Sequence, residues 1–308
     1  MNEDFERMKL EAELGDANRQ FSLGWAYQDG CCGIRDYKQA AVWYGRAAEQ
    51  GHVYAQFELG EMYYEGRGEE QDYKKAFILY CKAADQGHAE AQSRLGDMFA
   101  MGKGVAQDHR QAHIWSLKAA EQGDVYAQFM VSLQYLMGKG VIEPNLKKST
   151  FWMIKSAEGG FFEAQFQLGI MYIQGRGVAE DINEALFWIR EAAEQGHVQA
   201  QFQLGGMCVK GMGVRPDLKE GFIWIQRAAE RGHINAQFEL GLMYANGDGV
   251  SQDLYEGYYW SLLAADQGHQ EAAENCNFIA KYLPQEKIQY AHDMAAVKNT
   301  LDELLGDV

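Results

Sequence analysis

Basic residues are scarce in this chain. It has 28 Lys and Arg against 44 Asp and Glu, a formal net charge of −16 over 308 residues. Proteins that neutralise phosphates need the opposite balance, so nucleic acid and anionic membrane surfaces are excluded as partners and basic partners are favoured. Long apolar runs are missing too. No stretch of 18 apolar residues occurs, so no membrane-spanning helix is expected. The first residues, MNEDFERMKLEAELG, are acidic and lack the apolar core of a secretory leader. Cysteine is sparse and aperiodic, at Cys31, Cys32, Cys81, Cys208 and Cys276, an odd number with no CxxC pair. That pattern is not a disulfide framework and fits a reducing compartment, the cytoplasm. Cys81, Cys208 and Cys276 read as buried thiols, and Cys31 and Cys32 fall in a loop.

Several catalytic signatures are absent. Gly102–Lys103 and Gly138–Lys139 are followed by Gly rather than Ser or Thr, so there is no phosphate-binding loop of the GxxxxGK type. A recurring GxG, such as Gly66–Gly68, lacks the third glycine of a dinucleotide site and follows a helix rather than a strand. Neither S-x-x-K nor G-x-S-x-G occurs, so serine acylation has no seat. His109 and His113 share an i, i+4 spacing but stand where other segments place Tyr73 and Phe77, and no third ligand accompanies them. His52, His88, His197, His233 and His269 recur too far apart to share an ion and read as helix-start residues. No metal ligand set and no cofactor site is assigned.

What the sequence does have is a repeat. Gly15, Gly51, Gly87, Gly123, Gly160, Gly196, Gly232 and Gly268 are spaced about 36 residues apart. Gly24, Gly60, Gly96, Gly169, Gly205 and Gly241 keep step, and so do Trp43, Trp115, Trp152, Trp188, Trp224 and Trp260. A one-residue insertion falls between Gly140 and Pro144. Each unit reads as two helices. In residues 52–87 the first spans about His52 to Glu65, with Ala55, Leu59, Met62 and Tyr63 on its apolar face. Gly66 and Gly68 terminate it. Asp72 caps the second helix, as Asp36, Asp108, Asn145, Asp181, Asp217 and Asp253 do in their units. Ala76, Leu79 and Ala83 form the inner stripe of that helix. Paired alanines, such as Ala83–Ala84, let helix axes approach near its end. Gln56, Gln92, Gln128, Gln165, Gln201 and Gln237 read as hydrogen-bonders between units. The expected organisation is an N-terminal capping half-repeat at 1–15, seven repeats at 16–268, and a C-terminal half-repeat with a capping helix at 269–308. The fold class is all-α, an α-solenoid whose helix pairs bury their faces only by stacking.

The recurring text AQFELGEMYYEGRG…D…A…W…AAEQGH resembles the Sel-one-like repeat (SLR) family, relatives of the tetratricopeptide repeats. The resemblance covers nearly the whole chain. It implies a right-handed superhelix of helix–turn–helix units. It also implies adaptor roles in assembling protein complexes, in bacterial host interaction and signalling and in eukaryotic endoplasmic-reticulum quality control. Some secreted bacterial members carry two cysteines per repeat, with weak penicillin binding or hydrolysis attributed to them; this chain lacks those pairs.

In solenoids of helix pairs the first helices line a concave binding face. Beside the core positions, two registers vary from repeat to repeat. One reads Trp25, Glu61, Asp97, Leu133, Ile170, Gly206, Leu242; the other reads Gln28, Tyr64, Ala100, Leu136, Ile173, Val209, Ala245. The early part is acidic and aromatic, the later part apolar. Basic side chains of a partner protein or peptide would meet Glu58, Glu61, Glu65 and Asp97, with Trp25 and Tyr64 beside them. An apolar segment of an amphipathic partner would lie along Leu133, Leu136, Ile170, Ile173, Val209 and Leu242. The alternative is that these apolar residues pack between adjacent first helices. The reading is an interaction scaffold or adaptor, one that regulates or neutralises a partner; the alternative is an enzyme, such as a hydrolase, or a small-molecule binder using the groove.

Overall fold

The computed structural model describes residues 2–31, 33, 35–140 and 143–306, and among them the backbone is helical with no strand. A single helix, α1 (Asn2–Glu13), leads into α2 (Ala17–Asp29) and α3 (Tyr37–Glu49). The next pairs are α4 (Val53–Glu65) with α5 (Tyr73–Asp85), α6 (Ala89–Met101) with α7 (His109–Glu121), and α8 (Val125–Met137) with α9 (Leu146–Glu158). These helices make one compact unit, residues 1–159. The second unit, residues 160–308, begins with α10 (Phe162–Gln174) and α11 (Ile182–Glu194). It continues with α12 (Val198–Lys210) and α13 (Leu218–Glu230), then α14 (Ile234–Asn246) and α15 (Leu254–Asp266). It ends on α16 (Gln270–Ile279), a short 3-10 turn, and α17 (Gln285–Gly306), which packs on α15. Within the two units the helices α1 to α9 and α10 to α16 each pack against their neighbours in sequence, the arrangement of a solenoid. No helix among the described residues is long and apolar enough to cross a membrane.

The boundaries follow from local chemistry. His52 stands at the N-cap of α4 in extended conformation, and its Nδ1 accepts the Ala55 N–H at 3.2 Å. Gly66 ends α4 in the left-handed region at φ 74°, and its N–H returns to the Met62 carbonyl. The loop is pinned when the Asp72 N–H bonds the Tyr63 carbonyl at 2.9 Å. The Asp72 carboxylate then caps α5 by accepting from the N–H groups of Lys74 and Lys75. Gly104 is required by closeness as well as by its φ of 70°: a Cβ there would lie 2.3 Å from the Tyr73 carbonyl oxygen.

The core runs along the helix pairs. Ala76, Tyr80, Ala83 and Ala84 are the buried residues of α5. Leu79, assigned from sequence to the inner stripe, is half-buried against the core of the preceding repeat. The i+4 partner of Ala76 is Tyr80, and helical geometry puts that ring inside. Tyr80 fits because α4 carries Gly60 opposite: a Cβ at Gly60 would sit 2.6 Å from the Tyr80 ring. The register of Gly60 is thus a crossing point, where the absence of a side chain lets a large one fill the gap. Cys208 and Cys276 are buried and Cys81 is half-buried; Cys31 is exposed, and Cys32 lies outside the described residues. So do residues 141 and 142 of the inserted loop.

Candidate functional site: the faces of the first helices

The recurrent polar residues serve the stack. Gln56 Nε2 donates to the Ala48 carbonyl at 3.2 Å, and its Oε1 accepts from Gln86 Nε2 at 2.8 Å. The same bridge forms from Gln50 to Gln20, Gln122 to Gln92, Gln195 to Gln165 and Gln267 to Gln237. Where the second glutamine is replaced, by Gly159 or Arg231, the buried Oε1 of Gln128 or Gln201 has no partner among the described residues. The recurring histidines cap first helices through Nδ1 and stack on the preceding repeat's phenylalanine, as His88 does on Phe57 at 4.7 Å. Burial lowers the pKa of His52, His88 and His233 below the ordinary histidine value. His113 bonds Gln134 through Nδ1 at 2.8 Å, while His109 is exposed on the same helix. Among the described residues no three His, Cys, Asp or Glu side chains converge as a metal site would need.

In the first unit, the first helices are laced together by charged and polar side chains. Gln28 on α2 donates to Glu58 on α4 at 3.3 Å. Arg94 on α6 grips Glu61 on α4 through Nε and Nη2 at 2.8 and 2.9 Å. Tyr126 on α8 donates to Asp97 on α6 at 3.2 Å. Glu61, read from sequence as an acid facing a partner, is 8 % exposed, and Tyr80 Oη also donates to it. Its oxygens are committed to this bidentate pair, so Glu61 fixes the spacing of α4 and α6.

The other acids are less committed. Glu58 is half-buried, and burial raises its pKa above the usual carboxylate range; Glu61 and Glu90 add to this, while the Gln28 amide and Arg67 oppose it. Asp97 is half-buried and its pKa is pushed up to about 6 by burial, with Asp124 adding, against the Tyr126 hydrogen bond, Arg94 and Lys103. Glu65 is exposed and pairs with Arg67. Trp25 is 52 % exposed. Tyr64 is half-buried edge-on to Tyr73, and Lys103 Nζ donates to its hydroxyl at 3.1 Å. Leu133 and Leu136 are half-buried on α8. Arg94, Tyr80, Lys103 and Tyr126 do not stand out in the sequence; a lone cation at position 94, in a register that elsewhere holds neutral residues or the acids Glu58 and Glu239, is the available signal.

In the second unit the corresponding face is apolar. Ile170 and Ile173 are half-buried and pack against the core that contains Phe166 and Ile189. Val209 and Leu242 are also half-buried, and both line a pocket of about 280 Å³. Its apolar lining includes Phe202, Met207, Met212 and Met243, and Lys210, Glu239 and Asp248 supply charge. Gly206, also in the lining, is the cause. It occupies the register held by Ile170 one repeat earlier and Leu242 one repeat later, and a Cβ there would meet nothing within 4 Å. One missing side chain in α12 therefore opens the wall between α12 and α14.

The repeats match the Sel1 repeat family at residues 20–52, 53–88, 89–124, 125–161, 162–197, 198–233 and 234–269. Among solved structures, a Sel1 repeat protein from Oxalobacter formigenes is 34 % identical, with a TM-score of 0.72, over 89 % of this chain and 79 % of that one. A protective antigen present in uropathogenic Escherichia coli strains, displaying an SLR fold, is 32 % identical, with a TM-score of 0.59, over 94 % of this chain and 70 % of that one. No curated protein matches the chain.

Proposed function

Because the chain belongs to the Sel1 repeat family, we propose that it is an interaction scaffold, not an enzyme, and that it binds a partner protein or peptide on the faces of its first helices. The observation that carries this reading is the pocket opened by Gly206. Its volume of about 280 Å³ falls just below the range usual for small-molecule sites and suits one or two apolar side chains of a partner. Val209 and Leu242 are the residues of the apolar track that border it. In the first unit Glu58, Glu65, Asp97, Trp25 and Tyr64 offer acid and aromatic surface to a basic segment, in keeping with the net charge of −16. Leu133, Leu136, Ile170 and Ile173 contribute apolar surface at the edges of their cores. The scattered cysteines agree with a reducing compartment such as the cytoplasm, and the bound state would regulate or neutralise the partner.

The test is Gly206→Leu. Leucine in a helix interior is more favourable than glycine by about 0.5–1 kcal/mol, and the side chain enters open space, so the protein should melt higher. The same side chain fills the pocket, so partner affinity should fall at least tenfold. Unchanged affinity in a stabilised variant would show that the pocket does not bind the partner.

A further inference from the structure

Two consecutive repeats of the first unit place a tyrosine identically but surround it differently. Tyr44 and Tyr80 occupy one register of α3 and α5. Each ring packs on the glycine opposite: a Cβ at Gly24 or Gly60 would lie 2.6 Å from the Tyr44 or Tyr80 ring. Each ring also sits near a phenylalanine, Phe21 at 5.6 Å for Tyr44 and Phe57 at 5.9 Å for Tyr80, at interplanar angles of 35° and 39°. The two hydroxyls therefore point to the same place in their repeats. In the later repeat that place is filled from within. Tyr80 Oη donates to Glu61, and Arg94 closes the site with two bonds to the same carboxylate.

In the earlier repeat the chemistry is exchanged. Trp25 stands in the register of Glu61, and Glu58 in the register of Arg94. Tyr44 is 0 % exposed, yet its hydroxyl has no hydrogen-bond partner among the described residues. The Oε1 of Gln28, buried beside Glu58, has none either, although its Nε2 holds the Glu58 carboxylate. An unpartnered buried hydroxyl and amide oxygen each carry a desolvation cost that a donor group would remove. Among the described residues no guanidinium is hydrogen-bonded there: Arg67, which lowers the Glu58 pKa from a distance, is paired with Glu65, and Arg94 with Glu61.

We propose that this slot between α2 and α4 takes the side chain of one arginine of the partner, whose guanidinium does for Glu58 what Arg94 does for Glu61. The proposal rests on the scaffold reading above and names the chemistry that its acidic end recognises. A guanidinium offers five donors in a planar fork. It bonds the Glu58 carboxylate, gives a further N–H to Gln28 Oε1, and leaves the Tyr44 hydroxyl an adjacent donor to accept from. The exposed indole of Trp25 supplies a face for stacking, which favours a guanidinium over the compact, strongly hydrated ammonium of lysine. The chain thus holds its own reference for the bound state, one repeat further on.

The test uses the full chain and three probes: N-acetyl-arginine methylamide and its lysine and citrulline counterparts. Titrations are followed by the side-chain amide resonances of Gln28, which every variant keeps. The arginine probe should saturate in the millimolar range, bind at least fivefold tighter than either counterpart, and lose at least fivefold in affinity on Glu58→Gln, while Glu121→Gln, on the exposed surface of α7, leaves it unchanged. The double variant Trp25→Glu with Glu58→Arg transplants the later repeat's arrangement into the earlier one. It should melt no lower than the parent and no longer bind the probe, which separates loss of the site from loss of the fold. Equal binding of arginine and citrulline, equal binding of arginine and lysine, or a Glu58→Gln variant that binds as the parent does would each overturn the proposal. Those outcomes leave the Gly206→Leu experiment standing, so the slot and the scaffold reading fail separately.

Discussion

Replacing Asp97 by asparagine should make the protein more stable at neutral pH. Asp97 lies half-buried on α6, and its carboxyl titrates at about 6 in the folded chain against an ordinary 3.8. Burial is the main cause and Asp124 adds to it; the hydrogen bond from Tyr126 and the cations Arg94 and Lys103 compensate only in part. A shift of that size corresponds to about 3 kcal/mol, and partial exposure to solvent reduces the share expected in practice to about 1–2 kcal/mol. Because the folded pKa is the higher one, the folded chain holds a proton between pH 3.8 and about 6 that the unfolded chain has released. This group's contribution to stability is therefore greatest below pH 3.8 and declines as pH rises through 6. Asparagine keeps an oxygen for the Tyr126 hydroxyl and never ionises. Urea denaturation at half-unit steps from pH 4 to 8 should show Asp97→Asn ahead of the parent by about 1–2 kcal/mol at pH 8, the gap closing towards pH 4. A variant no more stable than the parent at pH 8, or one whose advantage does not change with pH, would refute the reasoning. The retention of a carboxylate that weakens the resting fold makes sense if a cation of a partner meets it in the bound state.

Two further predictions concern the stack itself. Arg231→Gln should restore the amide bridge to the unpartnered Oε1 of Gln201 and raise stability in urea by about 0.5–1 kcal/mol; no gain would mean that the bridge is not what holds that glutamine. His88 caps α6 as a neutral imidazole whose pKa lies below the ordinary value, so its contribution is present above pH 6.5 and is lost as pH falls and the unfolded chain takes up the proton. His88→Asp copies the cap that Asp124 provides for α8, and melting curves from pH 7.5 to 5 should show a smaller acid loss than in the parent; an equal loss would place the sensitivity elsewhere.

The fold was legible because its determinants are local and repeat. A left-handed glycine after a helix, an aspartate at the next helix start and an alanine pair near its end each act within a few residues, and periodicity multiplied the signal. Of the inner stripe read for α5, Ala76 and Ala83 are fully buried and Leu79 packs at the edge of a core, but Tyr80, the fully buried large side chain, goes unread, because only the fit against Gly60 shows why its ring goes inside. The candidate site was less legible because its chemistry depends on pairs formed by stacking. Glu61 and Arg94 are 33 residues apart, and nothing local distinguishes an acid already paired from one facing solvent. Gly206 reads in the sequence as one small residue in a variable register; that it opens a pocket depends on what α14 leaves uncovered. Trp25 and Glu58 could be placed on the face from sequence, whereas the unpartnered groups beneath them could not.

Partner binding by the faces of the first helices, as proposed, is open to direct measurement. The most direct test measures the affinity of a partner, isolated from the native cell and identified by mass spectrometry, for the parent, for Gly206→Leu, and for Ile78→Asp on the exposed surface of α5. Gly206→Leu should melt above the parent and bind at least tenfold more weakly, while Ile78→Asp should bind as the parent does. A partner that binds Gly206→Leu with undiminished affinity and is lost on Ile78→Asp would contradict the proposal.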